Sequence, residues 1–499
     1  MNAFLGRLIA VSAFLLLYLI LSFAPIEAVP TPQSSLVPQI DCLLDVPSLR
    51  GGIQGVVVQS LADGTIWYER NPDLLLLPAS NQKLFTSAAV LHLLGPSWRY
   101  VTFLLHDGRV DRKGTLRGNL YLRGSGDPLL SDKDLGTFVQ AVRLAGIRHI
   151  RGHVIGDESR FDRRRYGDGW AWDDMSYDYS PQISALNLNG NLVRVQVRPG
   201  KKAGVPPRVV VSPTKNYMQI VNRATTTAKG NRSHLVIERE LGKNRVYIEG
   251  TLAPGMPPDN YKPMGIPVEN PALYAAHVLT MRLRSTGIRV DGNPATGISP
   301  KHPIEIARHH SPPLSEILKR LNKTSNNLVA ECLLKTLGTE KSSARFGTAE
   351  NGIRVAIIAL KQLGIDPNTF VMVDGSGLSR LNRISARNVA LLLRTMHGHP
   401  HAKVFLNSLP LAGREGTLKH RLKGAPAENN VRAKTGTMRN VSCLSGYVTT
   451  RDGEPLVFVI MMNNHRDNAA AWDIQDKIVS LLASWQKMLS PPAENAYRR

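Results

Sequence analysis

Pro78-Ala79-Ser80-Asn81-Gln82-Lys83-Leu84-Phe85-Thr86-Ser87-Ala88-Ala89-Val90-Leu91-His92-Leu93-Leu94-Gly95-Pro96 opens polar and turns apolar. Apolar residues from Leu84 to Leu94 recur at helical spacing, Pro78 lies just upstream, and Gly95-Pro96 supplies a stop, so the stretch reads as one helix marked at both ends. Ser80 falls in or just before its first turn. Residues three apart share a helix face, so the Lys83 amine can reach the Ser80 hydroxyl directly. That pairs a nucleophile with a base. The same S-x-x-K pattern recurs at Ser212-Pro213-Thr214-Lys215 and Ser484-Trp485-Gln486-Lys487, but neither copy opens a helix.

Upstream, Val56-Val57-Val58 and Ile66-Trp67-Tyr68 flank Asp63-Gly64, a hairpin that leads into the Ser80 helix. Downstream, from about Val101 to Tyr261, short strand-like runs alternate with Gly, Pro and Asn turns: Leu120 to Leu122, Val193 to Val197, Val209 to Val211, and a hairpin around Gly242-Lys243-Asn244. Helical periodicity returns at Ala272 to Arg284, Leu314 to Leu321, Leu328 to Leu337, Ile353 to Leu363 and Asn388 to Thr395. A β-rich block therefore sits between two helical parts.

The 499 residues allow two or three domains, and the net charge of +23 asks what the chain meets. Arg7 followed by the apolar run Leu8 to Ala24 has the layout of a secretory signal or an uncleaved anchor, and Pro30 to Ser35 reads as a spacer. Export argues against nucleic acid. The basic residues are dispersed, without aromatic interleaving, which suits an anionic envelope polymer or membrane surface as well as a plain solvated face. Three cysteines, Cys42, Cys332 and Cys443, are too few and too scattered for a disulfide framework or metal cage, and the fourteen histidines show no metal-ligand spacing.

Two further motifs complete the pattern. Ser325-Asn326-Asn327 precedes an apolar helix, where a simple N-cap would look the same. Lys434-Thr435-Gly436 begins a strand whose glycine either lets a substrate's backbone approach closely or marks a bulge. These are the chain's only S-x-N and only K-T-G, in the order S-x-x-K, S-x-N, K-T-G, on helix start, helix start and strand. On these residues the chain resembles the penicillin-recognising serine enzymes, and within them the D-alanyl-D-alanine carboxypeptidase/endopeptidase family of the penicillin-binding protein 4 type, serine peptidase family S13. Ser80 and Ser325 stand 245 positions apart, room for the inserted β-rich domains of that family. Gly124 to Pro128, Gly169 to Asp174, Ser184 to Asn187 and Asp374 to Arg380 are similar to it as well, and the resemblance covers roughly residues 40 to 485.

The resemblance implies an α/β (α+β) fold of the penicillin-binding-protein/β-lactamase-like transpeptidase type, discontinuous in sequence. Residues 1–28 are expected as signal or anchor, 29–37 as spacer, 38–100 and 266–487 as the two parts of the catalytic domain, 101–265 as the insert and 488–499 as a tail. It implies Ser80 as nucleophile, Lys83 as base, made neutral by desolvation or by a cationic neighbour for which Lys434 is a candidate, Ser325 as proton relay between Lys83 and the leaving amine, and Asn327 on the substrate amide. Ser80 and Thr437 would form the oxyanion hole, while Lys434, Thr435, Gly436 and Thr437 take the terminal carboxylate side. Asp174 and Arg380 would meet the diamino-acid side chain of the stem peptide; a turn residue and a structural ion pair are the plain alternatives. Peptidoglycan stem peptides are the expected partner and β-lactams covalent inhibitors, in the periplasm or cell envelope, with no metal or organic cofactor. The rival readings are a β-lactamase-like hydrolase or esterase, distinguished by turnover, and a non-catalytic wall-binding protein, which would lack a motif residue.

Overall fold

A computed structural model describes residues 32–214, 216–255 and 263–486. The expected signal or anchor and the tail lie outside the described residues. Among those described, no helix is long and apolar enough to cross a membrane.

The catalytic part is a three-layer sandwich around a five-stranded antiparallel sheet, in the order Arg432–Met438, Val441–Thr449, Pro455–Asn463, Ile53–Ser60, Ile66–Arg70. The two ends of the chain meet in it: Ile53 pairs with Asn463 and Ser60 with Leu456, in unbroken register. Alternating side chains of these strands serve different cores. Val57, Val459 and Met461 face the helices that follow Ser80, whereas Val56, Val58, Phe458 and Ile460 face the helices Pro32–Leu44 and Asn468–Ser484. A strand buried on both faces reads as a continuous apolar run, which is why Val56 to Val58 shows no alternation. The Gln82–Leu94 helix lies inside the larger core and is buried from Gln82 to Leu91, polar residues included.

The expected spacer is corrected at its end. Pro32–Leu44 is helical, and Leu36, Ile40 and Leu44 recur every four residues on a face buried against the sheet. Pro38 within this helix hides it from a propensity reading.

The insert is longer than expected. Its return was placed at residue 266, yet Pro271–Ser285 buries Ala272, Tyr274, Leu279 and Leu283 in a second core with Leu104, Leu122 and Phe138. Helical periodicity shows which face is buried, not against what. The strand Ile304–His310 pairs antiparallel with Val101–His106, so the insert leaves where it enters. At that neck the Ser311 N–H donates to the Tyr100 carbonyl (3.0 Å) and the Tyr100 N–H to Ser311 Oγ (2.9 Å). The chain rejoins the first core at Leu314. The insert carries four further sheets, of three, four, four and five strands, together with the helix Asp132–Leu144.

Ile40 has no exposed surface. Ile40→Ala is expected to lower stability by about 2–4 kcal/mol in urea unfolding, the range for a buried aliphatic truncation; a spacer residue would leave the midpoint unmoved.

Candidate active site

Ser80 sits in a 3-10 turn, Ala79–Asn81, that runs directly into the Gln82–Leu94 helix. Ala79 holds a left-handed φ of +44°, an uncommon conformation for a residue with a side chain. The turn is clamped from both sides. A Cβ on Gly377 would come within 1.8 Å of the Ala79 carbonyl, and one on Gly436 within 2.8 Å of the Pro78 carbonyl and 3.2 Å of the Ser80 nitrogen. Gly436 therefore serves close approach to the nucleophile's own turn; its strand keeps regular register, with no bulge.

Lys83 is wholly buried and its Nζ donates to Ser80 Oγ (2.8 Å), Asn327 Oδ1 (2.6 Å) and the Ser376 carbonyl (2.6 Å). Three donors meet three acceptors, one from the same turn and two from distant segments. A neutral amine has two N–H groups and one lone pair, and of these partners only the Ser80 hydroxyl has a hydrogen to give. Deprotonated Lys83 must therefore turn its lone pair to Ser80.

The S-x-N turn is divided between two tasks. The Asn326 side chain caps the Asn327–Glu340 helix by accepting from the Val329 N–H (3.0 Å), which leaves Ser325, at φ +55°, free to accept from Lys434 Nζ (2.9 Å). Asn327 spends both ends of its amide: Oδ1 on Lys83, and Nδ2 on the carbonyl of Tyr179 in the insert (2.7 Å). Lys434 also donates to the Thr435 carbonyl (2.7 Å). The Thr435 hydroxyl bonds Thr417 Oγ1 (2.8 Å), while Thr437 is exposed at the strand's end.

Asp174 and Arg380 lie on loops that pack together rather than on the motifs. Trp170 Nε1 donates to Asp374 Oδ2 (2.9 Å), joining the two loops. Asp174 accepts from the Tyr179 hydroxyl (2.6 Å), whose backbone carbonyl holds Asn327. Arg380 is exposed and its carbonyl accepts from Arg383.

The family profile of the D-Ala-D-Ala carboxypeptidase 3 (S13) family matches residues 36–485, nearly the whole described chain. The chain belongs to that family. A D-alanyl-D-alanine carboxypeptidase of Actinomadura sp. (strain R39) is 38% identical over 481 residues, covering 93% of this chain and 87% of the relative. The crystal structure of penicillin binding protein 4 from Haemophilus influenzae superposes with a TM-score of 0.78 at 27% identity, covering 89% of this chain and 99% of that one. The same protein complexed with a novel β-lactam matches at 0.71 and 25% identity, over 90% and 100% of the two chains.

Two carboxyl groups support this S13 site that the motifs do not announce. Glu331, one helical turn beyond Asn327 and fully buried, accepts from the N–H groups of Gly375 (3.1 Å) and Ser376 (2.8 Å). It thereby aims the Ser376 carbonyl at Lys83. Asp374 accepts from Trp170 Nε1, Ser376 Oγ, the Gly377 and Ser379 N–H groups and Asn382 Nδ2. An acid at the i+4 position of an otherwise apolar helix was the available signal for Glu331. Asp374 stood inside a quoted stretch without a role.

Burial lowers the Lys83 ammonium to about 7, against the opposing pull of Asp374 and Glu331. Of the two expected causes, desolvation and a cationic neighbour such as Lys434, it is burial that lowers Lys83, and the charge of Lys83 adds to the burial that depresses Lys434. Burial and the nearby Asp374 push the Glu331 carboxyl up to about 8, so it keeps its proton at neutral pH. Among the described residues no group of His, Cys, Asp and Glu could hold a metal ion, and the three cysteines are free, with Cys332 and Cys443 buried. Were Lys83 the base, it would act as the neutral amine, whose population grows as pH rises through about 7. The rate of covalent labelling by a fluorescent penicillin should climb about tenfold between pH 6 and pH 8 and then level off; a flat profile in stopped-time gels would contradict Lys83 as base.

Proposed function

We propose that this chain is a serine D-Ala-D-Ala carboxypeptidase that acts on peptidoglycan stem peptides through an acyl-enzyme on Ser80, and that it also cleaves D-Ala-diamino-acid cross-links as an endopeptidase. The observation that carries the reading is the Ser80 hydroxyl 2.8 Å from a buried amine that titrates at about 7. Neutral Lys83 takes the Ser80 proton as Oγ attacks the carbonyl between two D-alanines. The backbone N–H groups of Ser80 and Thr437 receive the developing oxyanion. As the C–N bond breaks, the Ser325 hydroxyl passes to the leaving amine the proton that Lys83 took from Ser80, which leaves Lys83 neutral again, while Lys434 holds Ser325 in place by donating to its Oγ. Neutral Lys83 then takes a proton from the attacking water and gives it to Ser80 Oγ as the ester breaks.

Thr435 and Thr437, with Lys434, bind the terminal carboxylate, and Gly436 keeps that strand close enough to do so. Asn327, buried with both ends of its amide occupied, acts first as a positioning residue, and it holds the substrate amide by exchanging the Tyr179 carbonyl for it at Nδ2. Asp174 and Arg380, of opposite charge on adjoining loops, suit the zwitterionic end of a diamino-acid side chain. β-Lactams acylate Ser80 in the same way and deacylate slowly. Export places the enzyme in the periplasm or cell envelope.

Fluorescent penicillin should label the native ectodomain and not Ser80→Ala, read after denaturation; D-Ala release and cross-link cleavage should be lost in the same variant. A native protein that neither takes label nor consumes penicillin would sink the reading, and rapid consumption would favour a β-lactamase. Glu331→Gln, which keeps one acceptor for both loop N–H groups, should hold labelling within about threefold with the pH midpoint in place. Glu331→Ala, which strands two buried donors and frees the Ser376 carbonyl, should lose about tenfold or more.

A further inference from the structure

A cleft of about 860 Å³ opens where the insert meets the helical part, lined by Arg99, Arg123, Arg160, Arg163 and Arg345. Its two acids are already committed: Asp162 is held by Lys335, and Glu340 accepts from Arg160 (2.6 Å). Arg99 donates to the Ser311 carbonyl at the neck of the insert, and the Arg123 guanidinium lies 4.9 Å from the centroid of the Phe103 ring. Arg163 and Arg345 are exposed and, among the described residues, have no ion-pair partner. Between the cations lie apolar faces. Trp98 and Phe103 are half-buried, while Phe346 and Ile298 are 43% and 71% exposed.

The cleft is remote from the chemistry. Glu340 closes the 14-residue helix that Asn327 begins, so about 20 Å separates them at 1.5 Å per residue. Its volume is that of a small-ligand site. Forked guanidiniums suit phosphate or carboxylate oxygens, and flat aromatic faces suit the C–H face of a sugar ring. A concave, aromatic-walled cleft between domains is poorly shaped for a lipid bilayer, which meets a flat or protruding basic surface.

We propose that this cleft is a second binding site that holds an anionic polysaccharide, its phosphate or carboxylate groups on Arg163 and Arg345 and its sugar rings on Trp98 and Phe346. The site would hold the protein on a polymer while Ser80 remains open to a peptide about 20 Å away. The assignment does not depend on the Ser80 chemistry.

The test is titration of the full described chain, at about 0.15 M salt, with fluorescein-labelled hexagalacturonate (carboxylate) and a labelled glucosylated glycerol-phosphate hexamer (phosphodiester), beside neutral maltohexaose and phosphatidylglycerol vesicles. The Arg163→Glu/Arg345→Glu variant is compared with Arg143→Glu/Arg148→Glu, which makes the same charge change at exposed positions of the insert that do not line the cleft; melting temperatures establish that both are folded. Saturable binding of either anionic oligomer at one site per chain, weakened at least tenfold by the cleft pair and less than threefold by the control pair, is the expected result. Which oligomer binds identifies the anion. Equal weakening by both pairs would reduce the effect to general attraction to a basic chain and overturn the proposal, as would binding of vesicles alone or of no anionic oligomer. Should the cleft pair fail to fold, Trp98→Leu and Phe346→Ala replace it under the same tenfold criterion.

Discussion

The burial of one amine governs the site and much of the chain's connectivity. An ammonium removed from water is tolerated only if each of its hydrogens finds an acceptor. Lys83 finds them on Ser80 in its own helix turn, on Asn327 beyond the insert, and on the Ser376 carbonyl in a later loop. These partners come from three separate segments, so the pocket exists only when all three are in place. Each is fixed in turn by something other than Lys83: the Ser80 turn by the clamp of Gly377 and Gly436, Asn327 by the Tyr179 carbonyl, and the Ser376 loop by Glu331 and Asp374. The amine's environment is thereby preorganised.

The insert takes part in this. Its neck, a strand pair with Tyr100 and Ser311 bonded across it, lets a second core fold without moving the ends of the first. From that second unit the segment around Tyr179 reaches back to orient Asn327, and the same tyrosine's hydroxyl is bonded to Asp174. A group binding at Asp174 would thus touch the residue that holds the base's partner. Recognition of a side chain and positioning of the base share one tyrosine.

The sequence made the order of the three motifs and the helices and hairpins that carry them legible, because apolar period and turn chemistry are local. It could assign Ser80, Lys83, Ser325 and Lys434 to one site only through their joint occurrence. What it could not supply depends on which surfaces meet. The Pro271–Ser285 helix has the same kind of periodicity as the helices of the catalytic part, yet its buried face belongs to the second core. Pro32–Leu44 looks like a linker until the sheet covers Leu36, Ile40 and Leu44. Glu331 and Asp374 are buried acids, and nothing in their neighbours along the chain announces that loop amides will satisfy them.

Those two acids explain why the base titrates where it does. Desolvation alone drives an amine's pKa down without a natural stopping point, and an amine lowered too far is a weak acceptor for a serine proton. Negative charge nearby opposes the fall. Asp374 and Glu331 both exert that opposing pull on Lys83, Asp374 held by five donors and Glu331, its carboxyl pushed up to about 8 by burial and by Asp374, held by the Gly375 and Ser376 N–H groups. Lys434, buried and facing the charge of Lys83, is pushed down in turn, so a cation at one of the two lysines disfavours a cation at the other. In the proposed mechanism a single proton then circulates, from Ser80 to Lys83 and through Ser325 to the leaving amine, with little change in the total charge enclosed.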